Sequence, residues 1–97
     1  MAKLSQAYET ILILNTKLGD DGIQTLVEKF KKLIEDHATL ESVDEWGKRR
    51  LAYEIEDETD GYYVLFNFTS EPSFPAELDR IYKITDGVMR SLIIAKD

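Results

Sequence analysis

Lys48, Arg49 and Arg50 stand side by side in a 97-residue chain whose formal net charge is −7. Ammonium and guanidinium groups in series suit the docking of phosphate oxygens through charge-assisted hydrogen bonds. Trp46 and Gly47 precede the run, and Leu51-Ala52-Tyr53 resumes a strand-like pattern after it. A block of positive charge retained in an acidic chain points to a negative partner. The blander reading is a solvated strand edge, where lysine discourages edge-to-edge pairing. If each of the three cations neutralised one phosphate, the salt slope would be roughly −2 to −3, costing about 20- to 40-fold in affinity between 50 and 200 mM salt. So short a patch orients a protein on RNA but needs help from another surface or another protein. The balance of 19 Asp+Glu against 12 Lys+Arg argues against indiscriminate nucleic-acid binding.

Other chemistries find little support. The chain has no cysteine, which removes disulfides, thiolate zinc sites and cysteine nucleophiles and fits a reducing cytosol. His37 is the sole histidine and sits near a predicted helix C-terminus, where an imidazolium is mildly favoured. No ligand spacing supports a metal around it. The five glycines are dispersed, so no phosphate-cradling loop forms. Glu56 to Gly61 superficially suggests a calcium loop, but counting from Glu56 puts Asn67 where a bidentate glutamate is required. Gly61-Tyr62-Tyr63-Val64-Leu65-Phe66 has the flavour of an RNA-stacking strand, yet Asp60 and Tyr63 occupy positions that need a base and a small residue. Packing is the stronger reading there. No cofactor is expected.

The elements that must position the basic run follow from periodicity. Tyr8 to Leu14 reads as a strand, with Tyr8, Thr10, Leu12 and Leu14 on one side and Glu9, Ile11 and Ile13 on the other. Asn15 to Gly19 reads as a loop. Asp20 or Asp21 is the expected N-cap of a helix whose apolar stripe is Ile23, Leu26, Val27, Phe30, Leu33 and Ile34, ending near His37. A long β segment runs from about Leu40 to Ile55, with Gly47 marking a bulge or bend. In such a strand Lys48 and Arg50 share a face and Arg49 opposes them. Glu56 to Gly61 reads as a hairpin turn, and Tyr62 to Thr69 as a strand with Tyr62, Val64, Phe66 and Phe68 on one side. Ser73 is the expected cap of a second helix, with Pro75 in its first turn and Phe74, Leu78, Ile81 and Tyr82 inward. Val88 to Ala95 is the last strand.

The order is β-α-β-β-α-β. It predicts an α+β, ferredoxin-like split arrangement, two helices on one face of a four-stranded antiparallel sheet, with strand order 4-1-3-2. One sheet face is then left open, carrying Ile11, Ile13, Tyr63 and Leu65. Large apolar residues on an open face suggest a partner, although a few exposed apolar side chains are ordinary. Residues 1–97 are expected to form one domain. Met1 to Gln6 lacks the apolar run of a signal peptide, and no apolar run is long enough to span a bilayer.

Five segments resemble one family in its own order. They are Tyr8-Glu9-Thr10-Ile11, the apolar helix, the stretch Val43 to Ile55 centred on Trp46-Gly47-Lys48-Arg49-Arg50-Leu51-Ala52-Tyr53, Gly61-Tyr62-Tyr63-Val64, and Val88-Met89-Arg90-Ser91-Leu92-Ile93-Ile94. They are similar to the bacterial small-subunit ribosomal protein number six, the S-six family, over nearly the whole chain. Glu56 departs from the basic or small residue common there, and the chain stops at Asp97 without the tail some relatives carry. The resemblance implies a structural, non-catalytic part of the small ribosomal subunit, cytoplasmic and in the ribosome. It implies binding to the central domain of the small-subunit ribosomal RNA as a heterodimer with ribosomal protein S-eighteen. By the same implication Lys48, Arg49 and Arg50 contact RNA. Arg90 and Lys3 join them as expectations because strands one and four would be neighbours. Trp46, Tyr53, Ile11, Ile13, Tyr63 and Leu65 form the expected partner surface. No membrane and no small-molecule substrate are implied. A protein-only interaction module of the same fold is the competing class, and salt-insensitive binding would favour it. An acyl phosphatase would want an arginine in an anion loop, and Asn15-Thr16-Lys17-Leu18-Gly19 has none.

Overall fold

Apolar side chains at every second position make a strand with one buried side, and the first strand, β1 (Gln6–Leu14), buries Tyr8, Thr10, Leu12 and Leu14. The computed structural model describes residues 5–55 and 58–96, so Lys3 and the Glu56-Asp57 part of the expected turn lie outside the described residues. A short 3-10 turn, Thr16–Leu18, leads into α1 (Gly19–His37). Then come β2 (Thr39–Ile55), β3 (Glu58–Ser70), α2 (Phe74–Ile84) and β4 (Val88–Ala95). The sheet is antiparallel with order β2-β3-β1-β4. This is the split α+β arrangement and the strand order that the pattern predicts. The long β2 and β3 draw the molecule out to 48 Å along its longest axis.

The core lies between the sheet and the two helices. From α1 come Ile23, Val27, Phe30 and Ile34, from α2 Phe74, Leu78 and Tyr82, and from β3 Val64, Phe66 and Phe68. Each large apolar side chain buried in this way contributes roughly 1.5–3 kcal/mol. Phe30 meets Tyr82 edge-on, with ring centroids 4.8 Å apart. The Tyr82 hydroxyl accepts a hydrogen bond from Thr10 Oγ1 at 3.3 Å, so the two hydroxyls carried into this layer partner each other. Burial pushes the Tyr82 hydroxyl well above the ordinary tyrosine range, and the Thr10 bond opposes that only in part.

Local expectations are corrected at three places. Asp20 and Asp21 do not cap α1; the helix already includes Gly19, and both carboxylates fall in its first turn. The reason is the preceding turn, in which Asn15 Oδ1 accepts from the Lys17 amide at 2.8 Å and starts the winding early. The aspartates still suit the positive end of the helix. Ser73 holds the N-cap position of α2, but its side chain makes no capping bond. The first helical amide, Phe74 N, donates instead to Glu71 O at 3.1 Å. The third correction concerns β3, which begins at Glu58 instead of Tyr62, because pairing with the long β2 carries Asp60 and Gly61 into the ladder opposite Arg50 and Arg49. Leu26 and Leu33 are only half-buried at the borders of the α1 stripe. His37 is exposed at the end of α1 and stacks on Phe74, centroids 5.5 Å apart.

Candidate nucleic-acid and protein interface

The cross-strand register assigns each candidate residue to a face of the sheet. Ile11 pairs with Leu65 and Ile13 with Tyr63, all on the side opposite the core. The β4 register adds Leu92 beside Ile11 and Ile94 beside Glu9. Leu92 is 52% exposed and Ile94 41%. The open face is therefore a band of apolar side chains across three adjacent strands.

One end of that band is not open. Beyond Arg50 the β2–β3 pairing shifts register, and Leu51 turns onto the face, only 8% exposed. Gly61 makes room for it. A Cβ there would stand 2.3 Å from Ile13 Cγ2 and 3.3 Å from Leu51 Cδ2, so only glycine lets these two side chains meet over the strand. Leu51, Tyr53, Ile13, Tyr63 and Arg90 then line a cleft of about 200 Å³. Arg90 Nη1 donates to the Tyr53 hydroxyl at 2.9 Å across its mouth.

The basic run lies on β2, an edge strand. Lys48 pairs with Tyr62 and Arg50 with Asp60 on the helix side, while Arg49 pairs with Gly61 on the open side. All three are exposed. Among the described residues none of them forms an ion pair, whereas Lys17, Arg80 and Lys83 hold Glu58, Glu77 and Asp79 at 2.6–2.9 Å. Hydrogen bonding to Arg80 holds the Glu77 carboxyl below the usual carboxylate range. The nearby carboxylate Glu45 is engaged elsewhere, accepting from the Tyr62 hydroxyl at 2.8 Å and Gln24 Nε2 at 3.1 Å. That bond raises the Tyr62 hydroxyl above its ordinary pKa.

A bulge sets what stands beside the run. The ladder passes from Glu45–Val64 to Gly47–Tyr63, which inserts Trp46 as an extra residue, and Gly47 takes φ +87°. A side chain at that φ would be strained, so glycine is the residue for this position. Residues three apart normally face opposite sides of a strand. The inserted residue brings Trp46 and Arg49 onto the same open side. Trp46 lies nearly parallel to Tyr63, at 12° with centroids 6.2 Å apart. The Arg49 guanidinium carbon stands 5.7 Å from the Trp46 ring centroid. Trp46 Nε1 donates to Asp44 Oδ2 at 3.0 Å.

Trp46 and Tyr53 are thus both surface residues, 40% and 63% exposed, and neither belongs to the core. The fold gathers Ile11, Ile13, Tyr63, Leu65, Trp46, Tyr53, Arg49 and Arg90 on one face, and Lys48 and Arg50 point to the other. Sequence reasoning missed Leu51, Asp44, Leu92 and Ile94. Alternation along β4 pointed to Leu92 and Ile94, but the unbroken apolar run there and a bulge next to Leu14 hide the phase. Among the described residues no cluster of acidic or histidine side chains could hold a metal ion. No described helix is long and apolar enough to cross a membrane.

Residues 7–95 match the family model described as Ribosomal protein S6. The small ribosomal subunit protein bS6 of Clostridium perfringens is 47% identical over 91 residues, which is 93% of this chain and 96% of the relative. That of Clostridium beijerinckii is 52% identical over 88 residues, covering 90% and 93% of the two chains. The crystal structure of 30S ribosomal protein S6 from Thermotoga maritima superposes with a TM-score of 0.90 at 26% identity, covering 95% of this chain and 88% of that one.

Proposed function

Because this chain belongs to the ribosomal protein S6 family, and so is a structural, non-catalytic constituent of the ribosome, we propose that it binds the central domain of the small-subunit ribosomal RNA together with ribosomal protein S-eighteen. The observation that carries this reading is the pairing of an unneutralised basic run with an unfilled apolar face on a domain of net charge −7. Lys48, Arg49 and Arg50 meet phosphate from the β2 edge, and Arg90 adds a fourth cation from β4. Ile11, Ile13, Tyr63 and Leu65 receive the protein partner, with Trp46 and Tyr53 at the borders of that surface. Lys3, in the segment before the described residues, belongs to the same proposal. The setting is the assembled ribosome in the cytoplasm.

The energetics explain why two partners are needed. Three or four phosphate contacts give weak, salt-sensitive binding. An acidic domain also repels RNA everywhere except at its basic edge. A second protein seated on the apolar band raises the effective concentration of RNA contacts without new chemistry on this chain. The test is binding to a central-domain RNA fragment with and without S-eighteen, at two salt concentrations. Tight, salt-sensitive binding only with the partner present is expected. Binding to neither, or RNA binding indifferent to salt, would remove this assignment and leave a protein-interaction module.

A further inference from the structure

We infer that Trp46 and Arg49 form a stacking platform for an unpaired nucleobase, so that the β2 edge reads a single-stranded or bulged nucleotide in addition to phosphate. This rests on the RNA-binding reading above and names the chemistry that one part of that surface takes.

Trp46 brings two other flat groups together, lying nearly parallel to Tyr63 at 6.2 Å between centroids and carrying the Arg49 guanidinium carbon 5.7 Å from its own. The indole N–H donates to Asp44 Oδ2 and so orients the ring. Its edge is satisfied and 40% of its surface remains exposed. Arg49 makes no ion pair among the described residues, so its guanidinium plane is not committed to a carboxylate. Every base has a π-face, and aromatic rings and guanidinium planes are the two side-chain surfaces on which unstacked bases settle. A solvated strand edge does not require the bulge. With no extra residue at Trp46 and no positive φ at Gly47, Trp46 and Arg49 would fall on opposite faces and the platform would not exist. Lys48 and Arg50 stand on the other side of the same edge strand.

Stacking and phosphate contact differ in what salt does to them. Stacking releases no counterions, so its loss lowers affinity without changing the salt slope, while each lost phosphate contact lowers the slope by about one. Arg49→Lys keeps the charge and removes the plane.

The experiment follows emission from Trp46, the only tryptophan of the chain, as the protein paired with S-eighteen is titrated with the central-domain RNA fragment. The Trp46→Phe variant supplies the background. RNA is expected to quench Trp46. Arg49→Lys is expected to weaken binding about tenfold at an unchanged slope, and Lys48→Ala to reduce the slope by about one while the quench persists. Salt-sensitive RNA binding without the quench, or with Arg49→Lys at full affinity, overturns the platform and leaves the phosphate reading standing. Trp46 emission that S-eighteen alone changes and that RNA then leaves unaltered also overturns it, and makes Trp46 a protein anchor. Absence of any RNA binding would sink both.

Discussion

On one face of the sheet Leu12, Val64 and Phe66 keep none of their surface exposed, while on the other Leu92 keeps 52% and Ile94 41%. The two faces are built from the same strands and from comparable apolar side chains. What separates them is cover: α1 and α2 close the first face, while among the described residues side chains of β2, Leu51 above all, close only part of the second. The first face spends its apolar surface on folding. The second holds it in reserve, next to three cations that form no ion pair among the described residues. Folding and assembly are thereby assigned to opposite sides of a single layer of backbone.

Substitutions can break this division or sharpen it. Phe66→Ala, in the covered face, should cost about 3–5 kcal/mol because the site is fully buried, read as a lowered midpoint in urea denaturation. A comparable cost from an open-face truncation would erase the distinction. Replacing Lys48, Arg49 and Arg50 together by alanine should leave folding stability within about 0.5 kcal/mol. The same change should abolish the roughly 20- to 40-fold salt sensitivity between 50 and 200 mM ascribed to them. Titrations of the RNA complex at the two salts decide it.

A third prediction concerns pH. Tyr82 is held neutral by burial, so its folded pKa lies above the unfolded one. Its stabilising effect is complete below about pH 10 and is lost as the pH rises past that value, because the unfolded phenol then ionises while the folded one does not. Stability should fall by up to about 1.4 kcal/mol per pH unit there. Tyr82→Phe should flatten this alkaline slope, while Tyr62, raised by its bond to Glu45, retains a smaller contribution of the same sign. Urea melts at pH 9 to 11 (about one unit either side of the ordinary tyrosine pKa) would register the difference. The smallest effect belongs to Leu92→Ser. Half-exposed and without cover, Leu92 should contribute about 0.5 kcal/mol or less to folding, yet the variant should bind S-eighteen more weakly. Unchanged heterodimer formation, measured by calorimetry, would move the partner surface away from β4.

Strand and helix periods were readable from local composition. Tyr8, Thr10, Leu12 and Leu14 announce a half-buried strand, and Ile23, Val27, Phe30 and Ile34 announce a helix face, because side-chain direction repeats within one element. Val88–Ala95 is bounded by Gly87 on one side and Lys96 on the other, and its limits were legible for the same local reason. Caps and turn limits were not. Whether Asp20 caps α1 depends on the backbone entering from Asn15, and whether Glu58 to Gly61 turns or pairs depends on a strand that lies elsewhere in the chain.

The candidate site divides in the same way. By itself, the order of residues determined the β-α-β-β-α-β succession, the acidic background and the cluster of three cations, since these are properties of composition and short-range spacing. Only the tertiary structure decided that Trp46 and Arg49 share a face, that Leu51 closes one end of the apolar band, and that Gly61 is small because Ile13 and Leu51 meet above it. Each of these turns on register between strands. Register is settled by hydrogen bonding and packing against a partner strand, and a displacement of one residue reverses every side chain beyond it.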